Sequence, residues 1–164
     1  MFYAKSIEAS KIPFDMLYGP AYKGIPSVSS IVIAFASLGR NVPFAFNRKE
    51  KKDHGEGGVI IGTPLKGRVL IVDDVISAGT SVNESVNIIL EEGAKPSGIA
   101  ISIDREEKGT GLLSAVEEIK ETHHLPICHL TSLKEIMRYI EHHETYASHM
   151  SAMRDYQKVY GITA

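Results

Sequence analysis

An α/β domain with a doubly wound, mainly parallel sheet flanked by helices is the fold class that the sequence predicts. Three observations carry it. Short apolar runs alternate with helix-length amphipathic stretches along the chain, the pattern of strand, crossover helix and strand. The run Val-Leu-Ile-Val at 69–72 is apolar at every position, as in a parallel strand covered by helices on both sides. Two of the runs end in polar residues, Asp73-Asp74 after one and Asp104-Arg105 after another. Open parallel sheets bind ligands at those carboxyl ends, so both strands point at one crevice.

Taken in order, residues 2–10 carry a short helical pattern through Phe2, Tyr3 and Ile7, with no capping residue ahead of it. A strand is predicted over 14–18, then a tight loop at 19–24, GPAYKG, with Lys23 at its tip. Residues 25–38 are apolar on one side and carry serines at 27, 29, 30 and 37, as in a helix packed on a sheet, and Gly39 stops it. After a short strand at 43–46 comes NRKEKKDHGEGG at 47–58, which has no aliphatic residue and three glycines in its last four positions. It predicts an exposed, mobile loop that leaves one strand and returns into the strand at 69–72. The following helix is expected to open on a capping box, Ser81 and Glu84, with Val82, Val86, Ile89 and Leu90 on one face and Gly93 as its stop. Further expectations are a strand at 97–104, a helix at 112–122, a strand at 126–130, a helix at 132–142 capped by Ser132 and Glu135, and a last helix over 145–160. No repeat, low-complexity segment or Pro/Gly-rich linker interrupts the pattern. One domain over 1–164 is therefore expected.

Composition narrows the partners. Eighteen Lys plus Arg stand against 20 Asp plus Glu, a net charge of −2, so bulk electrostatics predict neither nucleic-acid nor membrane binding. Cys128 is the only cysteine, which rules out a disulfide framework and suits a reducing, cytoplasmic setting. His142, His143 and His149 lack zincin spacing, because the position that would need histidine is Ala147.

The stretch 69–81, VLIVDDVISAGTS, carries the chemistry. A strand delivers two acids to its end, and a loop of small residues then leads into a helix N-terminus. Unpaired N–H groups, a partial positive charge and the hydroxyls of Ser77, Thr80 and Ser81 together suit a phosphate monoester. Adjacent strand residues point to opposite faces, so Asp73 and Asp74 are badly placed to share one proton. At the strand's end the pleat relaxes, and both are able to hydrogen-bond vicinal hydroxyls of a ribose. A turn or capping role for one Asp is the alternative. The cradle beside them favours ribose 5-phosphate.

This stretch resembles the phosphoribosyl pyrophosphate (PRPP) signature of the type I phosphoribosyltransferases. GPAYKGIP at 19–26, FNRKEKKDHGEGG at 46–58 and ISIDREEKGTG at 101–111 resemble segments of the orotate phosphoribosyltransferase family in its bacterial form. The resemblance implies the type I phosphoribosyltransferase fold and transfer of the 5-phosphoribosyl group from PRPP to orotate, giving orotidine 5′-monophosphate and pyrophosphate. It implies PRPP contacts from Tyr22, Lys23, Arg48, Lys49, Lys52, His54, Asp73, Asp74, Val75, Ile76, Ser77, Ala78, Gly79, Thr80 and Ser81. Orotate contacts fall to Ser77 and Arg105. Catalytic roles fall to Lys52 and His54 on the leaving pyrophosphate, and to Asp73 and Asp74 on the donor ribose. Mg²⁺ is the implied cofactor, held mainly through PRPP rather than by protein ligands. A homodimer with shared active sites is the implied assembly.

Family members carry a further segment ahead of the first strand, so the chain is expected to be N-terminally truncated relative to them, with an incomplete hood over the acceptor. Three other readings compete: a PRPP-binding regulatory module without turnover, a catalytically incomplete fragment without turnover, and a purine-type transferase on the same core. Lys52 and His54 favour the enzyme, since a sensor needs no cation for a leaving group. Arg105 and the Tyr22-Lys23 loop favour orotate.

Overall fold

The computed structural model describes residues 1–52 and 58–162. Its centre is a six-stranded sheet in the order β3-β2-β1-β4-β5-β6. These strands are β1 (Met16–Gly19), β2 (Phe44–Lys52), β3 (Gly58–Gly62), β4 (Arg68–Val72), β5 (Lys95–Asp104) and β6 (Ile127–Ser132). All neighbouring pairs are parallel except β2 with β3. Helices α1 (Phe2–Ser10), α2 (Gly24–Ser37), α3 (Thr80–Glu91), α4 (Ala115–His123) and α5 (Leu133–Glu141) flank it, and α6 (Met150–Tyr160) packs on α5.

Period-two alternation divides the sheet between two cores. Met16, Tyr18, Val69, Ile71, Ile99 and Ile101 face one way and pack with Val82, Val86 and Ile89 of α3 and Ile119 of α4. Leu17, Leu70, Val72 and Ala100 face the other way, against Ala4 and Ile7 of α1 and Val28, Ile31 and Phe35 of α2. Burial on both faces is what makes 69–72 apolar at every position. The doubly wound, mainly parallel sheet is thus observed.

Several local expectations change. The charged stretch does not leave the sheet at 47, because β2 continues to Lys52 and pairs antiparallel with the edge strand β3, with Asn47 opposite Ile60 and Lys52 opposite Gly58, while the part of the expected loop at 53–57 lies outside the described residues. The register is irregular between Asn47 and Lys52. Ser81 is not a cap: α3 begins at Thr80 after Gly79, and no side chain caps it. Leu90 is exposed rather than part of the buried face. Residues 112–114 stand outside α4, which opens on a capping box between Ser114 and Glu117, and Leu112 is 95% exposed. The S-x-x-E spacing at 114–117 was there to be read. The box at Ser132 and Glu135 forms as expected and starts α5. The last helix is divided, with a 3₁₀ turn at Glu144–His149 ahead of α6.

Candidate active site

β4 ends at Val72, and the two acids follow it where the strand pleat has ended. Neighbouring elements keep hold of the backbone beyond that point. The Asp73 N–H donates to the Ala100 carbonyl at 3.0 Å, and the Asp74 carbonyl accepts from the Ser102 N–H at 2.9 Å and the Ser102 hydroxyl at 2.7 Å. From the opposite side, the Tyr3 hydroxyl of α1 donates to the Asp73 carbonyl at 2.7 Å.

The carboxylates are equally constrained. Asp73 accepts from the Asp74 N–H at 2.9 Å and from the Ser81 hydroxyl at 3.0 Å. Asp74 accepts from the Val75 N–H at 2.9 Å and from Lys23 Nζ at 2.7 Å. The two acids are electrostatically unlike. Burial pushes the Asp73 carboxyl up against the opposing Asp74 N–H and Ser81 hydroxyl. Burial also pushes Asp74 up, but the Lys23 ammonium and the Val75 N–H outweigh it and hold the group below the usual carboxylate range. Lys23 is raised in return by its hydrogen bond to Asp74.

This pairing carries a pH prediction. A depressed carboxyl stabilises the fold above its unfolded pKa, and that contribution is lost as pH falls through the lowered folded value. In Lys23→Met the main opposing charge is gone, so the carbon-detected NMR titration of the Asp74 carboxyl should move to higher pH. An unmoved midpoint would show that the lysine does not hold Asp74 ionised.

After the acids the chain forms a small cradle. Gly79 has a φ of +72°, the left-handed region that favours glycine, and a Cβ there would lie 2.5 Å from Ile119 Cδ1. That turn sets the N-terminus of α3 against the loop, with its first N–H groups free of intrahelical partners. The resulting cleft, about 290 Å³, lies between Ala21, Tyr22 and Lys23 on one side and residues 73–82 on the other. Ile76 is buried, so what it can offer an anion is backbone rather than side chain. The 19–24 loop is tied to β2 where the Ala21 N–H donates to Asn47 Oδ1 at 2.8 Å. Gly19 and Gly24 pack so closely that a Cβ on Gly19 would lie 2.3 Å from the Gly24 carbonyl oxygen.

Arg105, immediately past β5, reaches the cradle from the far side. Its Nη2 donates to the Ser77 hydroxyl at 2.6 Å and to Glu107 Oε2 at 2.8 Å. Arg48 lies on β2, half-buried. Lys49 and Lys52 are also on β2, but their side chains, and His54 altogether, fall outside the described residues. The structure therefore brings together Tyr22, Lys23, Asp73, Asp74, the 75–81 cradle and, through Ser77, Arg105. Sequence reasoning missed Tyr3, Asn47, Ser102 and Tyr156, which reach the site's residues from elements distant in sequence, and Glu107, which bonds Arg105 two positions earlier.

For a cation, Asp73 and Asp74 supply hard oxygen donors. All four carboxylate oxygens already accept hydrogen bonds. Among the described residues, no group of three or more His, Cys, Asp or Glu is placed to hold a metal. This donor set fits a Mg²⁺ that keeps its waters and takes its remaining ligands from a phosphorylated substrate. No helix among the described residues is long and apolar enough to cross a membrane.

Residues 1–121 match the family model of the phosphoribosyl transferase domain. The chain is 56% identical over 161 residues to the orotate phosphoribosyltransferase of Chromobacterium violaceum, covering 98% of this chain and 75% of that protein. It is 57% identical over 159 residues to that of Nitrosospira multiformis, covering 97% and 70% respectively. The crystal structure of the Francisella tularensis orotate phosphoribosyltransferase superposes with a TM-score of 0.82 at 35% identity, covering 98% of this chain and 77% of that one.

Proposed function

The chain belongs to the phosphoribosyl transferase domain family, among the orotate phosphoribosyltransferases, and from that premise we propose how its cleft carries out the transfer. The reaction moves the 5-phosphoribosyl group from PRPP to orotate. The bond from ribose C1 to the pyrophosphate oxygen breaks, its electron pair leaving with pyrophosphate. A bond from C1 to a ring nitrogen of orotate forms, and that nitrogen's proton passes to the released pyrophosphate or to solvent. Orotidine 5′-monophosphate, the precursor of UMP, is the product.

The observation that carries the assignment is the paired acids and the anion cradle within one cleft. In this reading the cradle of Val75, Ile76, Ser77, Ala78, Gly79, Thr80 and Ser81 binds the ribose 5-phosphate through backbone N–H groups and hydroxyls. Asp73 and Asp74 accept hydrogen bonds from the ribose hydroxyls and face the positive charge that builds on C1 as the bond breaks. Lys23 and Tyr22 meet the pyrophosphate, so donor binding draws Lys23 from Asp74. Arg48, Lys49, Lys52 and His54 stabilise the negative charge on the leaving group, with Lys52 the main cation. Ser77 and Arg105 orient the orotate. Mg²⁺, when bound with PRPP, neutralises pyrophosphate charge and orients the donor. We also assign the chain to the cytoplasm and to a homodimer with shared sites. Both rest on the family resemblance, with the single cysteine supporting the former.

The direct test follows orotate absorbance with PRPP and Mg²⁺. Loss of orotate with one pyrophosphate released per base is expected. PRPP binding with no loss of orotate would instead support the regulatory module.

A further inference from the structure

We propose that Glu107 and Tyr156 are positioning residues for the acceptor, through which α6 holds Arg105 against Ser77. The inference rests on the reading of Arg105 as an orotate contact.

An arginine with a side chain 34% exposed at the end of a strand has many rotamers to choose from. Useful recognition of a planar anion requires one of them to be held. The chain beyond Arg105 does this by doubling back. Glu106 has a positive φ of 53°, and its N–H donates to Asp104 Oδ1 at 2.9 Å. That turn brings Glu107, whose side chain is 17% exposed, around to face the arginine two positions earlier.

The Glu107 carboxylate is shared. Oε2 accepts from Arg105 Nη2 at 2.8 Å, while Oε1 accepts from the Tyr156 hydroxyl. The tyrosine's pKa is raised, first by that hydrogen bond, so the hydroxyl stays a donor at neutral pH. Backbone ties fix the same point. The Ala115 N–H donates to the Glu107 carbonyl at 2.9 Å, the Lys108 N–H donates to the Tyr160 carbonyl at 2.8 Å, and Glu107 bridges Gly161. Further on, Glu118 accepts from the N–H groups of Thr110 at 2.9 Å and Gly111 at 2.6 Å. The segment after Arg105 is thus anchored at both ends. The Tyr156 hydroxyl lends a single oxygen to this network, at Glu107.

Calorimetric titration with orotidine 5′-monophosphate and with ribose 5-phosphate separates the two halves of the site. Tyr156→Phe removes one oxygen. It should weaken orotidine 5′-monophosphate about three- to tenfold, in the range of coupling between contacting residues, and leave ribose 5-phosphate within about twofold. Glu107→Gln should act in the same direction. A role confined to folding would weaken both ligands together, and that result would overturn the inference. In an Arg105→Ala background, Tyr156→Phe should add nothing further, whereas a persisting loss would also overturn it. If Arg105→Ala weakens orotidine 5′-monophosphate but neither Tyr156→Phe nor Glu107→Gln does, positioning fails and the acceptor reading stands. If Arg105→Ala itself changes nothing, the acceptor reading falls and takes the inference with it.

Discussion

Lys52→Ala should lower kcat by about 10²- to 10³-fold, the usual loss when one donor that stabilises transition-state charge is removed. The KM for PRPP should change far less. As the C1–O bond stretches, charge accumulates on the pyrophosphate, and a lysine that meets this charge contributes more at the transition state than in the bound donor. Steady-state rates with PRPP varied at saturating orotate measure both quantities. Comparable losses in kcat and in PRPP affinity would assign Lys52 to ground-state binding and move the catalytic burden to another cation of the 48–54 stretch. The lysine closes β2 directly opposite Gly58.

Gly79→Val should both destabilise the protein and disable the phosphate cradle. Gly79 combines a φ of +72° with a neighbour that leaves no room, since an added Cβ would lie 2.5 Å from Ile119 Cδ1 and 3.1 Å from Cγ1. A left-handed conformation costs an L-residue about 1–2 kcal/mol, and overfilling a packed site costs about 1–3 kcal/mol more. At about 2–4 °C per kcal/mol for a chain of this size, melting should fall by roughly 5–15 °C. Relief by moving the turn away from α4 displaces the N-terminus of α3, which begins directly after Gly79, so ribose 5-phosphate should lose its protection against thermal unfolding. An unchanged melt with full protection would mean that the cradle does not depend on this turn.

The sheet was legible because its strands are buried on both faces. In β4, Val69 and Ile71 face α3 while Leu70 and Val72 face α2, so the covered strand reads as unbroken hydrophobicity. The edge hairpin was hidden for the opposite reason. Asn47 to Lys52 have little strand propensity of their own. Their extended form depends on pairing with Gly58–Gly62, a run short enough to pass for part of a loop. At the site, the acids and the cradle are contiguous in sequence and were read as a unit. Ser81 illustrates how local spacing misleads: S-x-x-E predicts a cap, but Asp73 lies closer to hand and takes the hydroxyl. Most of the supporting contacts span too much sequence to leave a local signal. Tyr3 and Asp73 are 70 positions apart, and Glu107 and Tyr156 are 49 apart.

The bonds to Asp73 come from both layers of the molecule. Tyr3 belongs to the helical layer on one side of the sheet, Ser81 to the layer on the other, and Ala100 to the strand alongside. To loosen this acid, both layers have to part from the sheet, which amounts to unfolding the domain. In the 19–24 loop, by contrast, the ties seen beyond β1 include the Ala21 N–H bond to Asn47 of β2 and the ion pair from the exposed Lys23 to Asp74. The two walls of the cleft therefore differ in thermodynamic standing. One shares the stability of the whole protein and, in the proposed reading, gives the donor sugar a fixed reference, while the exposed lysine of the other is the part free to shift when pyrophosphate binds.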